Sequence, residues 1–360
     1  MTLLPLFCLA VAAAQGEPLI RSTFAAGEDG WTAAQLVGTG GKVSVVRDPD
    51  HLKVGTGSLR LDYSVKVGEM SAASLPVADG ALAKMGSIHF WVRPDQNSPL
   101  IVNLQEKNGA QYSCSISAAK GVWQEVEMGI QDFLPSLDPG SVPDPNGRLN
   151  ADEIVSISFF DLNQFLGQVE ALAGLLGVQQ GPRAVYLSDF LVTTKPMPDA
   201  TAAGEYVIDA FDRPHPAWTV LNATPGIVSE APLNARALRI DYNLPSGKAA
   251  GAFKPLRLGA LVAKKTLAFR AATANACQLV VQLEEKGGGK YNYAFRMPGG
   301  STPVDQNVVL SEMKPADDSK DDNDKLDLEE VKQITFIDLT ALLEAPGKNT
   351  LWIGRVVAKS

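Results

Sequence analysis

The sequence predicts an all-β protein made of two tandem antiparallel β-sandwich domains. Three observations carry that prediction. The stretch Ile88 to Ile116 (IHFWVRPDQNSPLIVNLQEKNGAQYSCSI) is echoed by Leu267 to Phe295 (LAFRAATANACQLVVQLEEKGGGKYNYAF), with Leu100 and Leu279, Lys107 and Lys286, and Tyr112 and Tyr291 each 179 positions apart. Self-similarity at one offset marks a repeated structural unit. Runs such as SLRLDYSV (58–65) alternate apolar and polar residues, the pattern of a half-buried strand. The chain has 360 residues, 45% hydrophobic and 20% charged, enough for two cores of ordinary size.

In chain order, residues 1–14 read as a signal peptide: an apolar run ending in Ala12-Ala13-Ala14, an A-x-A type of cleavage site, although no basic residue precedes it. The first domain is expected over 17–194. FAAGEDGW (24–31) opens it, as FDRPHPAW (211–218) opens its partner. Strands are expected at Val43 to Arg47, Ser58 to Val65, the central hairpin, Trp123 to Met128, Ile154 to Phe160 and Val185 to Val192, while Met70 to Ala83 reads as apolar and irregular. Asn163 to Val178 is the one helical stretch of note. Phe165, Val169, Leu172 and Leu176 recur at helical spacing and predict a helix plugging one end of the sandwich. Residues 195–204, opening KPMPDATAA, have the composition of a linker, and 205–360 form the second domain. There Asp338 answers Asp161 at 177 (338 − 161) and Trp352 answers Tyr186 at 166 (352 − 186), so the second copy is shorter by 11 residues (177 − 166) between those landmarks.

The hairpin can be divided into faces. Asn108-Gly109 predicts a two-residue turn, which sets Gln105 opposite Tyr112 and Asn103 opposite Cys114. Alternation then sends Leu100, Val102 and Leu104 inward and Asn103, Gln105 and Lys107 outward. In the preceding strand, Ile88, Phe90 and Val92 face inward and His89, Trp91 and Arg93 outward. The first copy is thus expected to gather Trp91, Arg93, Asn103, Gln105 and Tyr112 on one outward face, and the second Arg270, Gln282, Glu284, Tyr291 and Tyr293. Rings flanked by amides and a guanidinium suit a sugar, whose C–H faces stack and whose hydroxyls take paired donors and acceptors. The competing account is a solvated sheet face with scattered aromatics.

Other chemistries are disfavoured. A net charge of −8 and a pI near 5.1, with no basic cluster, argue against nucleic acid as partner. No later run is long and apolar enough to span a bilayer. His51, His89 and His215 are scattered, and neither a metal-binding His motif nor a nucleophile elbow is present, so an enzyme is the weaker hypothesis. Cys114 and Cys277 occupy non-equivalent positions and read as free thiols. Asp144, Asn146, Gly147 and Glu153 partly match a calcium loop, as do Asp321, Asn323, Asp324 and Glu330, but Val142 stands where the first copy needs its first ligand.

The order F-x₆-W (24–31), G-x-L-R-L-D-Y (57–63), I-x-F-W-V-R (88–93), L-x-V-x-L-x-E-K (100–107), a Tyr-bearing strand, Trp123 and V-Y-L-S-D-F-x-V (185–192) resembles the galactose-binding-like jelly rolls. Within these the chain is most similar to the family-11 carbohydrate-binding modules and the complex I intermediate-associated protein 30 domains, over nearly the whole mature chain in two copies. The resemblance implies a glycan cleft on a concave sheet face, lined by Tyr112 in the first copy and by Tyr291 and Tyr293 in the second. It also implies a structural calcium ion, held by an acid just after the opening Phe and another in the last strand. The first copy keeps only the second acid, Asp189, with Ala25 after Phe24; the other keeps only the first, Asp212, with Gly354-Arg355 in its last strand. The expectation is therefore an exported, non-catalytic protein, secreted, periplasmic or at the cell surface, whose partner is a polysaccharide or glycan. The alternative is a structural or assembly protein of the cell envelope that uses the same faces for a protein partner.

Overall fold

The computed structural model describes residues 16–137, 140–198, 204–343 and 345–360. The expected leader and residues 199–203 of the expected linker lie outside them. In the first half the strands are β1 (Pro18–Ser22), β2 (Thr32–Val37), β3 (Lys42–Val46), β4 (Ser58–Val65), β5 (Met70–Pro76) and β6 (Ser87–Pro94). They continue with β7 (Ser98–Glu106), β8 (Gln111–Ala118), β9 (Gln124–Gly129), β10 (Leu134–Pro135), β11 (Ile154–Asp161) and β12 (Gly181–Thr193). One antiparallel sheet runs β3-β4-β12-β6-β9 with β1 against β12, and the other runs β10-β8-β7-β11-β5-β2. Residues 70–76, expected to be irregular, pair with β2 and β11, because Ala72, Ala73 and Leu75 are small or apolar enough to be buried there.

The second half repeats the plan. Its strands are β13 (Glu205–Asp209), β14 (Thr219–Leu221), β15 (Thr224–Val228), β16 (Ala237–Leu244), β17 (Ala250–Pro255), β18 (Thr266–Thr273) and β19 (Cys277–Glu285). After them come β20 (Lys290–Met297), β21 (Val304–Val309), β22 (Lys314–Pro315), β23 (Val331–Asp338), β24 (Gly347–Gly354) and β25 (Val356–Lys359). They form a sheet β13-β25-β18-β24-β16-β15 with β21 against β18, and a sheet β14-β17-β23-β19-β20-β22. The protein is all-β, and each half is an antiparallel sandwich with its own apolar core. Edge-on ring pairs join the two layers, Phe90 with Phe159 at 6.1 Å between centroids and Phe269 with Phe336 at 4.9 Å. The alternation of Ser58–Val65 works as expected: Leu59, Leu61, Tyr63 and Val65 are buried. Cys114 and Cys277 are free and buried.

Three local expectations fail. First, the hairpin has three loop residues. Glu106 N–H donates to Ala110 O at 2.9 Å around Lys107-Asn108-Gly109, with Gly109 at φ 90°; Glu285 and Gly289 do the same around Gly288 at φ 97°. A positive φ at the third loop position is cheap for Gly and closes the strands one residue later than a two-residue turn. Tyr112 therefore lies opposite Leu104, and Tyr291 opposite Leu283. Second, β6 and β7, although consecutive, belong to different sheets. Third, the stretch 163–178 is not one amphipathic helix but two short ones, α1 (Asn163–Leu166) and α2 (Glu170–Leu175). Phe165 and Val169 are exposed, and what ties the segment down is polar: buried Gln164 bridges Ser71 N–H and Ser71 O, while Gln168 donates to Lys66 O and Glu69 O.

The halves meet along Arg213–Val220. Ser117 N–H donates to Pro216 O at 3.1 Å, Val220 N–H to Ser117 Oγ at 2.8 Å and Gln124 Nε2 to Pro214 O at 2.6 Å. Arg213 donates through both terminal nitrogens to Asp132. Among the described residues no helix is long and apolar enough to cross a membrane.

Candidate functional site

The residues common to the two halves are largely internal supports. Tyr112 reaches from the core to donate to Asp144, which also accepts from Arg148 N–H at 3.0 Å; Tyr291 donates to Asp321, which accepts from Lys325 N–H at 3.0 Å. Buried Glu106 accepts from Asn150 N–H, and Glu285 from Asp327 N–H, both at 2.5 Å. The loops that partly matched a calcium template are thus held by a phenol and a carboxylate on the neighbouring hairpin. Burial first, then the bond to the carboxylate, pushes both phenols well above their ordinary range, so each stays a donor. Tyr63 donates to Asp161 and Tyr242 to Asp338 in the same paired way.

This overturns the expected faces. Tyr112 and Tyr291 are 1% and 2% exposed, and Tyr293 lies opposite core Val281 and packs on the same cluster. None of the three stands on the outward face of its sheet, because a one-residue change of register inverts every side chain of a strand. Trp91 and Arg93 do face outward, but from the sheet opposite to Asn103 and Gln105. There Lys53 Nζ sits 4.2 Å from the centre of the Trp91 ring, His51 stacks on Tyr186 at 4.4 Å, and Arg93 donates to Gly121 O. The first two contacts fasten the loop 48–57 onto the sheet, and the third ties down the turn between β8 and β9. Arg270 likewise sits on β18, facing Asp305, in the sheet that does not contain Gln282.

The predicted residues that do share a face are Asn103 with Gln105, and Gln282 with Glu284. Register extends each pair across its sheet. In the second half Asn292, Gln282, Thr335 and Phe253 are direct cross-strand neighbours on β20, β19, β23 and β17. All four are half-buried, and Gln282 Nε2 donates to Asn292 Oδ1 at 2.8 Å. The row beside it is Lys290, Glu284, Gln333 and Pro255, where Glu284 accepts from Lys332 at 2.8 Å. At roughly 4.8 Å between strands the four-residue row spans about 14 Å. The expected register puts the tyrosines where Asn292 stands, and alternation within single strands gives no sign that Thr335 and Phe253, from β23 and β17, lie beside Gln282. In the first half the matching row is Ser113, Asn103, Ser158 and Ser74, hydroxyls and one amide without a ring.

The expected calcium ion does not fit. Asp189 is occupied by Arg21, whose Nε and Nη2 donate to Oδ1 at 3.2 and 3.1 Å. Arg47 takes the carbonyl of Ala25, and Arg236 takes those of Phe211 and Arg213, so internal guanidiniums already sit beside the opening Phe of each half. Asp212 is exposed, and no cluster of three metal-ligating side chains occurs among the described residues. Burial raises both thiols to about 12, the opposite of an activated nucleophile.

No family model matches this chain, and no curated protein matches it. Solved structures to which the chain is similar include a family 11 carbohydrate-binding module from Clostridium thermocellum in complex with a β-1,3-1,4-mixed-linked tetrasaccharide, 15% identical over 44% of this chain and 98% of that one, TM-score 0.35. A solution structure of CtCBM11 is 20% identical over 52% and 99% of the two chains, TM-score 0.38. The N-terminal CBM22-1–CBM22-2 tandem domain from Paenibacillus barcinonensis Xyn10C is 11% identical over 96% and 98%, TM-score 0.31. The fold described above stands on the strand pairing itself and not on these likenesses.

Proposed function

We propose that this is a non-catalytic binding protein whose second half takes a polysaccharide or glycan on the outer face of β17, β23, β19 and β20. The observation that carries the reading is the row Asn292–Gln282–Thr335–Phe253. It places two amides, a hydroxyl and a ring side by side, each partly open to solvent. Amides offer donor and acceptor together and match vicinal hydroxyls, and the ring supplies an apolar patch for a sugar's C–H face. Hydrolysis is disfavoured because a glycosidase needs two carboxyl groups across the bond, whereas Glu284 is the single acid in this row and the next, and it is held by Lys332. Export to the cell exterior or periplasm is supported by the apolar run over residues 1–14, which ends in an A-x-A type of cleavage site.

The test is affinity electrophoresis of the mature chain in gels cast with soluble β-glucans, galactans and xylans. Retardation by at least one polymer is expected, weakened about tenfold by Gln282→Ala or Phe253→Ala, roughly 1.4 kcal/mol. Equal mobility in every gel would sink the reading. A protein partner is the second reading, favoured by one observation: the corresponding face of the first half already holds protein, with Ser117 bonded to Pro216 and Val220. Under it the same substitutions release a co-purifying protein and leave mobility unchanged.

A further inference from the structure

A cavity of about 730 Å³ lies at the junction of the halves. It is within the usual range for ligand pockets, roughly 300–1,000 Å³. One wall is the outward side of β8, where Ser113 and Ser115 stand; the others include the turn at Gln131 and Asp132, the segment Lys195 to Pro198, the opening of the second half from Tyr206 to Arg213, and Lys254 to Arg257 at the end of β17. Ser113 is also the last member of the hydroxyl row of the first half, and its Oγ donates to Asn103 Oδ1 at 3.0 Å. That row therefore runs into the cavity.

The charges of the lining are balanced. Arg213 is closed onto Asp132, and Lys254 onto Asp209 at 2.8 Å, while Asp209 also accepts from Trp218 Nε1 at 2.9 Å. What remains is Glu127 and Asp212 against Lys195 and Arg257. A lining with equal numbers of both signs, the inner ones already paired, offers no excess charge of either sign to an ion. Its hydroxyls, amide and carbonyls suit a ligand that both donates and accepts without carrying charge.

From this we propose that the junction cavity is a second glycan subsite, taking the terminal unit of a neutral oligosaccharide laid along the Ser74–Ser158–Asn103–Ser113 row. It rests on the glycan reading above. A chain following that row meets the segment Lys195 to Pro198 and the second half, so it has to end there, whereas the amide row of the second half requires no chain end.

The experiment is amide-resolved NMR of the full mature chain with neutral tetrasaccharides of β-linked glucose, xylose and galactose, each at about 10 mM, enough to fill a millimolar site. Saturable shifts at Ser113, Ser115 and Tyr206 are expected, lost in Ser115→Trp, which sets an indole across the β8 wall of the cavity, and reduced in the rim variant Asp212→Ala/Arg257→Ala. Long polymers of the same sugars, poor in ends, are expected to shift Gln282 and Asn292 but not the junction. Shifts confined to Gln282 and Asn292 overturn the cavity subsite and leave the face reading intact; shifts confined to the junction do the reverse. Shifts nowhere overturn both, and equal polymer shifts at the junction overturn the claim that it takes a chain end.

Discussion

The two halves present the same backbone and opposite surfaces. In the first, the row Ser113–Asn103–Ser158–Ser74 is made of short hydroxyl side chains around one amide, and its sheet is partly covered by the segment 213–220. In the second, Asn292–Gln282–Thr335–Phe253 carries two long or planar polar groups and a ring at the matching positions. The internal supports, by contrast, have hardly diverged: Tyr112 with Asp144 mirrors Tyr291 with Asp321, and Tyr63 with Asp161 mirrors Tyr242 with Asp338. The difference teaches that a residue kept in both copies of this chain marks the sandwich, while binding has to be sought among the residues that changed.

The sharpest way to break that symmetry is the buried acid. Asp161 is bonded to Tyr63, Ser98 and Arg183, and the Arg183 and Asp161 side chains are 6% and 0% exposed. In the second half Asn349, not an arginine, lies opposite Tyr242. Asp161→Asn strands a buried guanidinium and is expected to cost about 3–5 kcal/mol in urea unfolding. Asp338→Asn removes only bonds to neutral groups and should cost about 1–2 kcal/mol. Equal losses would show that Arg183 is not the distinguishing element.

The junction gives the next effect. His215 is 1% exposed, its Nδ1 accepts from Glu127 N–H at 3.3 Å, and its Nε2 has no partner among the described residues. Burial, then the cations Arg213 and Lys254, hold its pKa well below the usual histidine value. Because the folded value is depressed, the unfolded chain takes the proton first as pH falls below about 6.5, and folded stability declines from there. Thermal unfolding from pH 7.5 to 5.5 should register up to about 1.4 kcal/mol of loss per pH unit beyond that of His215→Asn. Parallel profiles would remove His215 from the account.

Removing a phenol oxygen is a smaller change. Tyr112→Phe and Tyr291→Phe should each cost about 1 kcal/mol and raise hydrogen exchange in the 144–150 and 321–327 loops, with little effect on glycan retardation. Loss of binding without loss of stability in Tyr291→Phe would restore the tyrosine to the ligand site. Smallest of all is Lys53→Ala, which removes the cation over Trp91 and should cost roughly 0.5 kcal/mol, read as faster exchange in residues 48–57.

Much of the architecture is legible in the amino-acid order alone. The offset of 179 positions, the alternation of Ser58–Val65 and the inward set Leu100, Val102 and Leu104 require paired strands with one apolar side, because a period of two allows nothing else to bury those residues. Tertiary structure alone decided which sheet each strand joins and where each hairpin closes. Trp91 and Asn103 are twelve positions apart yet face away from each other across a sandwich, since consecutive strands can cross between layers. One loop residue at Gly109 and one at Gly288 put Tyr112 and Tyr291 inside and Asn292 outside. Alternation divides a strand into two faces, and only the pairing that closes the hairpin assigns one of them to the core.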